Sequence, residues 1–193
     1  MILITAFKPF NDNPLNSTME ALKRASFKGD VVKAYLPVSF NETKDELLKL
    51  INGLKPDFII MLGESGLIKE IAVEKRAQNL LDFRIEDNEG IKKANEMIDL
   101  SLPEFIDTSF KVDKLVSYLN TAKINSVVSL NAGTFICNYS YFLALKETKN
   151  AVFIHLPYFI GESIDMRHKS IDILTLVRAI ELSVKFVKEN YHC

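Results

Sequence analysis

Ile124-Asn125-Ser126-Val127-Val128-Ser129-Leu130-Asn131-Ala132-Gly133-Thr134-Phe135-Ile136-Cys137-Asn138 joins an apolar, β-branched run to a turn and then to a segment of helical period. That succession predicts a strand over 124–130 and a helix over 135–146. Next comes Ala151-Val152-Phe153-Ile154-His155-Leu156-Pro157, which predicts a further strand over 151–156. The alternation repeats on the N-terminal side. Strands are expected at 2–6, 31–36 and 57–62, each apolar on successive residues as a strand covered on both faces requires. Helices are expected at 17–25, 41–53, 112–122 and 169–189, where apolar residues recur at intervals of three and four. Asn41, ahead of Lys44, Asp45 and Glu46, reads as the N-cap of the second helix. Strands alternating with helices indicate an α/β class, a single-domain α/β/α sandwich over residues 1–193 with a mostly parallel mixed sheet.

Two segments break the pattern. In 70–79, Ile71 and Val73 alternate with Glu70, Ala72, Glu74 and Arg76, which predicts a half-exposed strand. Residues 80–110 have weak periodicity, a turn signal at Asp87-Asn88-Glu89-Gly90 and a breaker at Pro103, so mostly loop is expected there.

Composition narrows the function classes. The 193 residues are 48% hydrophobic and 25% charged, and 24 Lys plus Arg against 25 Asp plus Glu leave a net charge of −1. Mean hydropathy is +0.07. These values suit a folded globular chain and give no global pull toward nucleic acid or anionic membrane, so neither partner is expected. No run approaches the roughly 20 apolar residues of a membrane span, and the short N-terminal apolar run reads as a strand rather than a signal sequence. The two cysteines, Cys137 and Cys193, are not an expected disulfide pair, and a reducing cytoplasm is the expected compartment. Phosphate loops, CxxC pairs and histidines at ligand spacing are missing, so neither metal nor cofactor is expected.

The chemistry-bearing residues cluster at the ends of these elements. Cys137 falls in or near the first turn of its helix, where unpaired amides and the macrodipole favour a thiolate and can receive an oxyanion. A small apolar core residue is the alternative reading of Cys137. His155 ends the following strand and would share a sheet edge with Cys137 if the two strands are neighbours. Imidazole there can accept the thiol proton and return one to a leaving amine, although a structural histidine stays open. His168 and His192 are weaker candidates. Glu74 is the candidate to orient the ring, or else a solvated partner of Lys75 or Arg76.

Taken together the segments resemble pyrrolidone-carboxylate peptidase, the pyroglutamyl peptidase I family of cysteine peptidases. The resemblance rests on Thr5-Ala6-Phe7-Lys8-Pro9-Phe10 with Asn16-Ser17-Thr18, on Gly63-Glu64-Ser65-Gly66, and on Glu74-Lys75-Arg76-Ala77-Gln78-Asn79 with Asp82, Arg84, Asp87-Asn88 and Gly90. It is most specific at Asn131-Ala132-Gly133-Thr134-Phe135-Ile136-Cys137-Asn138 and Phe153-Ile154-His155-Leu156-Pro157-Tyr158. It implies a phosphorylase/hydrolase-like fold and removal of an N-terminal pyroglutamyl residue from peptides through a thioester. Cys137 is then the nucleophile, His155 the base and acid, and Glu74 the orienting group. Arg84 is placed near the oxyanion, and Phe7 and Phe10 in an apolar ring pocket; Asn16 and Glu64 are expected to contact substrate. Homo-oligomers, dimers or tetramers, are also implied. The chain departs from the family pattern at Asn11-Asp12, where Gly-Gly is usual, and at Glu64, where glutamine is common. Residues 67–69 lack the usual Gly-Arg, and Arg76 stands one position later than the family arginine. A member that binds a cyclic or peptide ligand without cleaving it, and a nucleoside phosphorylase or hydrolase, remain alternatives.

Overall fold

Apolar runs become strands and amphipathic segments become helices in a computed structural model that describes residues 1–10, 13–162 and 170–191. The chain begins β1 (Ile2–Phe7), α1 (Ser17–Arg24), β2 (Val31–Leu36), α2 (Phe40–Leu54) and β3 (Phe58–Glu64). It continues β4 (Ile71–Glu74), β5 (Arg76–Gln78), β6 (Phe105–Asp107), α3 (Val112–Thr121) and β7 (Ser126–Ser129). The last elements are α4 (Ile136–Glu147), β8 (Ala151–Leu156), β9 (Tyr158–Phe159), β10 (Ser170–Ile171) and α5 (Ile173–Tyr191).

The main sheet has six strands in the order β2-β1-β3-β8-β4-β7. β2, β1, β3 and β8 are parallel, whereas β4 is antiparallel to β8 and parallel to β7. Side chains alternate across it. Ile2, Ile4, Phe58, Ile60, Val152 and Ile154 meet α1, α3 and α5 on one face, while Leu3, Ile59, Met61 and Phe153 meet α2 and α4 on the other. Each such fully buried side chain contributes about 1.5–3 kcal/mol relative to exposure, which is why the central strands are unbroken apolar runs. The expected mostly parallel α/β sandwich is what forms.

Several local expectations are corrected. The strand read over 124–130 shortens to β7 and lies at the sheet's edge, with Val127 43% and Val128 38% exposed. β2 is the other edge and is mostly half-buried, so apolar runs at 31–36 and 124–130 do not mean cover on both faces. β7 and β8 are not neighbours. β4 lies between them, and because β7 runs opposite to β8 its carboxyl end points away from the edge that carries His155. Residues 130–135 must therefore return the chain to that edge before α4 begins.

The segment 70–79 is two strands, and β4 is fully buried rather than half-exposed. Its period of two is real but divides two interiors: Ile71 and Val73 enter the core under α3 and α5, and Ala72 and Glu74 face the other side. Asn41 is not the cap of α2; Ser39 is, with its side chain accepting the Glu42 amide at 3.1 Å. Residues 80–110 contain β6 and a Leu81–Glu96 bridge. Asn79 organises that stretch, its Nδ2 donating to the carbonyls of Asp99, Leu102 and Pro103 and its Oδ1 accepting the Asp99 amide at 2.8 Å. The C-terminal helix begins at Ile173, and Lys169, like Asn11, Asp12, His168, His192 and Cys193, lies outside the described residues. Among the described residues no helix is long and apolar enough to cross a membrane.

Candidate active site

Antiparallel pairing of β4 with β8 opposes Ala72 to His155 and Glu74 to Phe153, so Glu74 and His155 project from the same face, offset by one pair. The consequence is a direct bond. His155 Nδ1 lies 2.9 Å from Glu74 Oε1, with the histidine 8% and the glutamate 1% exposed. Glu74 is not a solvated partner of its neighbours; Arg76 instead pairs with Asp107 at 3.0 Å. The Phe153 ring lies 4.8 Å from the imidazole and fixes one side of it.

Cys137 is the second residue of α4 and is partly exposed. Its side chain lies close enough to the same imidazole to interact with it. With Nδ1 taken by Glu74, Nε2 is the nitrogen left for sulfur. Burial alone would lower the imidazole pKa, but interactions with Cys137 and Glu74 and their charges push it up, to about 9. The cap of α4, Phe135, brings no side-chain acceptor to the first-turn amides, so donors beside the sulfur remain available to an oxyanion.

The sulfur looks onto a cleft of about 300 Å³ lined by Phe7, Phe10, Asn16, Glu64, Arg84 and Cys137 among others. All the residues expected around the substrate therefore meet in one place, with Glu74 and His155 behind the thiol. Phe10 packs on Phe135 at 5.4 Å, and Phe135 on Phe83 at 4.8 Å, which makes one wall aromatic. Asn16 is 4% exposed, and its Oδ1 caps α1 by accepting the Thr18 amide at 3.0 Å and the Met19 amide at 3.3 Å. Glu64 Oε2 accepts the Ser17 amide at 2.5 Å, and Arg84 is exposed.

The site reading had not singled out Gly63, Phe135 or Tyr158. Gly63 is in register with His155, and a Cβ there would stand 2.5 Å from the Phe153 ring and 2.9 Å from Cys137 Sγ. The glycine at the end of an apolar strand was the available signal, since only a missing side chain lets sulfur and ring approach the backbone. Tyr158 covers Gly66 in the same way, a Cβ there coming within 2.4 Å of its ring.

A family model described as pyroglutamyl peptidase matches residues 1–190. The pyrrolidone-carboxylate peptidase of Thermococcus kodakarensis is 33% identical, over 98% of this chain and 96% of that protein. That of Bacillus subtilis is 32% identical, over 94% and 89%. Among solved structures, a mutant pyrrolidone carboxyl peptidase from Pyrococcus furiosus superposes with a TM-score of 0.91 at 29% identity, covering 98% of this chain and 99% of that one. Pyroglutamyl peptidase I of Bacillus amyloliquefaciens gives 0.89 at 28% identity, over 94% and 93%. With its fold, its cleft and its whole length matched in this way, the chain belongs to the pyroglutamyl peptidase family.

Proposed function

We propose that the chain is a cysteine peptidase that removes an N-terminal pyroglutamyl residue, with Cys137, His155 and Glu74 as its catalytic residues. The observation that carries the assignment is the continuous polar chain from Glu74 Oε1 through the imidazole, 2.9 Å away, to the Cys137 sulfur at the cleft. Glu74 holds Nδ1–H and so presents Nε2 to the thiol. The thiol proton passes to His155, whose raised pKa favours holding it, and sulfur attacks the pyroglutamyl carbonyl. The resulting oxyanion is held by the Cys137 amide and by Arg84. Imidazolium then protonates the departing amine and leaves a thioester. Water, deprotonated by His155, adds to the thioester, and collapse releases pyroglutamate and the thiol.

Phe7, Phe10 and Phe135 suit the flat, neutral lactam ring, and Asn16 and Glu64 supply its polar contacts. Such a reaction needs no metal or cofactor. The binding-only alternative is disfavoured by the complete Glu74–His155–Cys137 arrangement, which serves no purpose in simple retention. We further propose that residues 1–193 act as one catalytic domain, in a cytoplasm whose reducing conditions preserve the thiol, and that the chain assembles into dimers or tetramers. Exposed Val127, Val128 and Leu130 at the free sheet edge offer apolar surface for assembly, which light scattering measures.

The test is release of a chromogenic anilide from its pyroglutamyl conjugate by purified protein. Activity in wild type that is lost in Cys137→Ala and after alkylation supports the assignment. A folded wild type that binds pyroglutamyl peptides without releasing the reporter favours the ligand-binding alternative, and phosphate-dependent release of a nucleobase favours the nucleoside enzyme.

A further inference from the structure

Two carboxyl groups converge beside the cleft, and among the described residues no ion pair accounts for them. Glu64 ends β3 and lines the cleft; Glu162 closes the turn that follows β9, where Gly161 has φ +94° and the Glu162 amide donates to the Phe159 carbonyl at 3.1 Å. The Glu162 side chain folds back on this turn, its Oε2 accepting the Phe159 amide at 2.9 Å. The residue is 7% exposed, and among the described residues its buried Oε1 has no N–H or hydroxyl donor. The Glu162 carboxyl lies beside that of Glu64, which accepts the Ser17 amide at the start of α1, and it faces that amide as well. From β9 the Tyr158 phenol faces the pair, and Arg84 stands across the cleft. Among the described residues no lysine or arginine is hydrogen-bonded to either carboxyl.

Two carboxylates sharing one amide in a half-buried site repel each other, and a buried Oε1 without a donor adds a desolvation cost. One proton removes both problems, because the hydroxyl of one carboxyl donates to the other. We infer that Glu162 is a positioning residue for the ring pocket: it shares a single proton with Glu64, holding that side chain as a neutral-compatible polar wall, and loss of the proton weakens substrate binding without altering acyl transfer. Burial first, and then the hydrogen bond and charge of Glu64, push the Glu162 carboxyl up to about 9, consistent with a proton retained at neutrality. This also reconciles a carboxylate-lined cleft with an uncharged lactam. The inference rests on the pyroglutamyl reading for its kinetic half but not for the shared proton.

Infrared spectroscopy and kinetics test the two halves separately. At neutral pH the wild type and Cys137→Ala should both show a carboxylic-acid carbonyl band that Glu162→Gln lacks. Wild-type KM should rise as pH passes about 9, whereas Glu162→Gln, whose amide donates to Glu64 and cannot ionise, should keep a flat KM over the same range. The kcat profile, set by Cys137 and His155, should be shared by both. Glu162→Ala should raise KM about tenfold below pH 9 by leaving Glu64 without its partner, and the difference from wild type should narrow above it. If Glu162→Gln does not fold, Glu64→Gln should likewise remove the alkaline rise. A neutral-pH wild type without the acid band, or an equal alkaline rise of KM in the glutamine variants, overturns the inference. Should the protein hydrolyse no pyroglutamyl reporter, the acid band still decides whether the proton is shared, and the loss falls on the substrate assignment.

Discussion

At the scale of single residues, the proposed chemistry rests on the sulfur and the ring behind it. Cys137→Ala should lower kcat by at least about ten-thousand-fold, because no other side chain in the cleft offers a nucleophile of comparable reactivity. Glu74→Gln should cost kcat about a hundred- to ten-thousand-fold with KM little changed, since an amide can stabilise the wrong imidazole tautomer. The same change should lower the His155 pKa from its raised value of about 9, and a proton NMR titration of the ring measures it. An unshifted titration in that variant would detach Glu74 from the imidazole. Gly63→Ala drives a methyl into the Phe153 ring and the sulfur, so we expect reduced kcat together with a loss of about 1–3 kcal/mol in chemical denaturation. Cys137, His155 and Glu74 were legible in the sequence because each is a polar residue at the end or on one face of an otherwise apolar element. Gly63 was harder to see, as its role depends on Phe153 and Cys137, which come from far along the chain.

Elements explain which parts of the reading failed. β1, β3 and β8 could be read directly, since apart from Thr5 their residues are apolar, as a place between two helical layers requires, until the edge-facing ends, where Glu64 and His155 occur. The position of β4 could not. Its alternation shows that Ile71 and Val73 share a face, but nothing local says whether the other face meets water or a second interior, and pairing with β8 decides that. The same ignorance of pairing made β7 look like a covered strand and left its place relative to β8 open. Helix starts were legible only where the capping side chain lay directly before the apolar face: Asn16 does so for α1, whereas Asn41 competed with Ser39 and lost. Asn16→Ala should remove the two capping bonds to Thr18 and Met19, destabilise the fold by about 1 kcal/mol, and raise KM by shifting the end of α1 that borders the cleft. Thermal unfolding and steady-state kinetics on one variant measure both, and a lowered melting temperature with unchanged KM would separate the cap from the pocket.

The molecule as a whole should respond to alkali in a defined direction. His155 is raised above its unfolded value of 6.5, so its contribution to stability is complete below that pH and is lost as pH rises through about 9. Glu162, raised from 4.5 to about 9, acts in the same sense over a wider interval. Melting temperature should therefore fall between neutrality and pH 9, and the fall should be shallower in Cys137→Ala, where the imidazole loses one of the groups that raise it. A curve that rises over this interval would contradict both assignments. The reversed strand has a last consequence. Glu74 and His155 are 81 positions apart and meet only once β4 has been inserted against β8. A chain still emerging from synthesis, or one that has lost this strand, carries a sulfhydryl with no partner to arm it. On the proposed chemistry, turnover thus reports completion of the sheet.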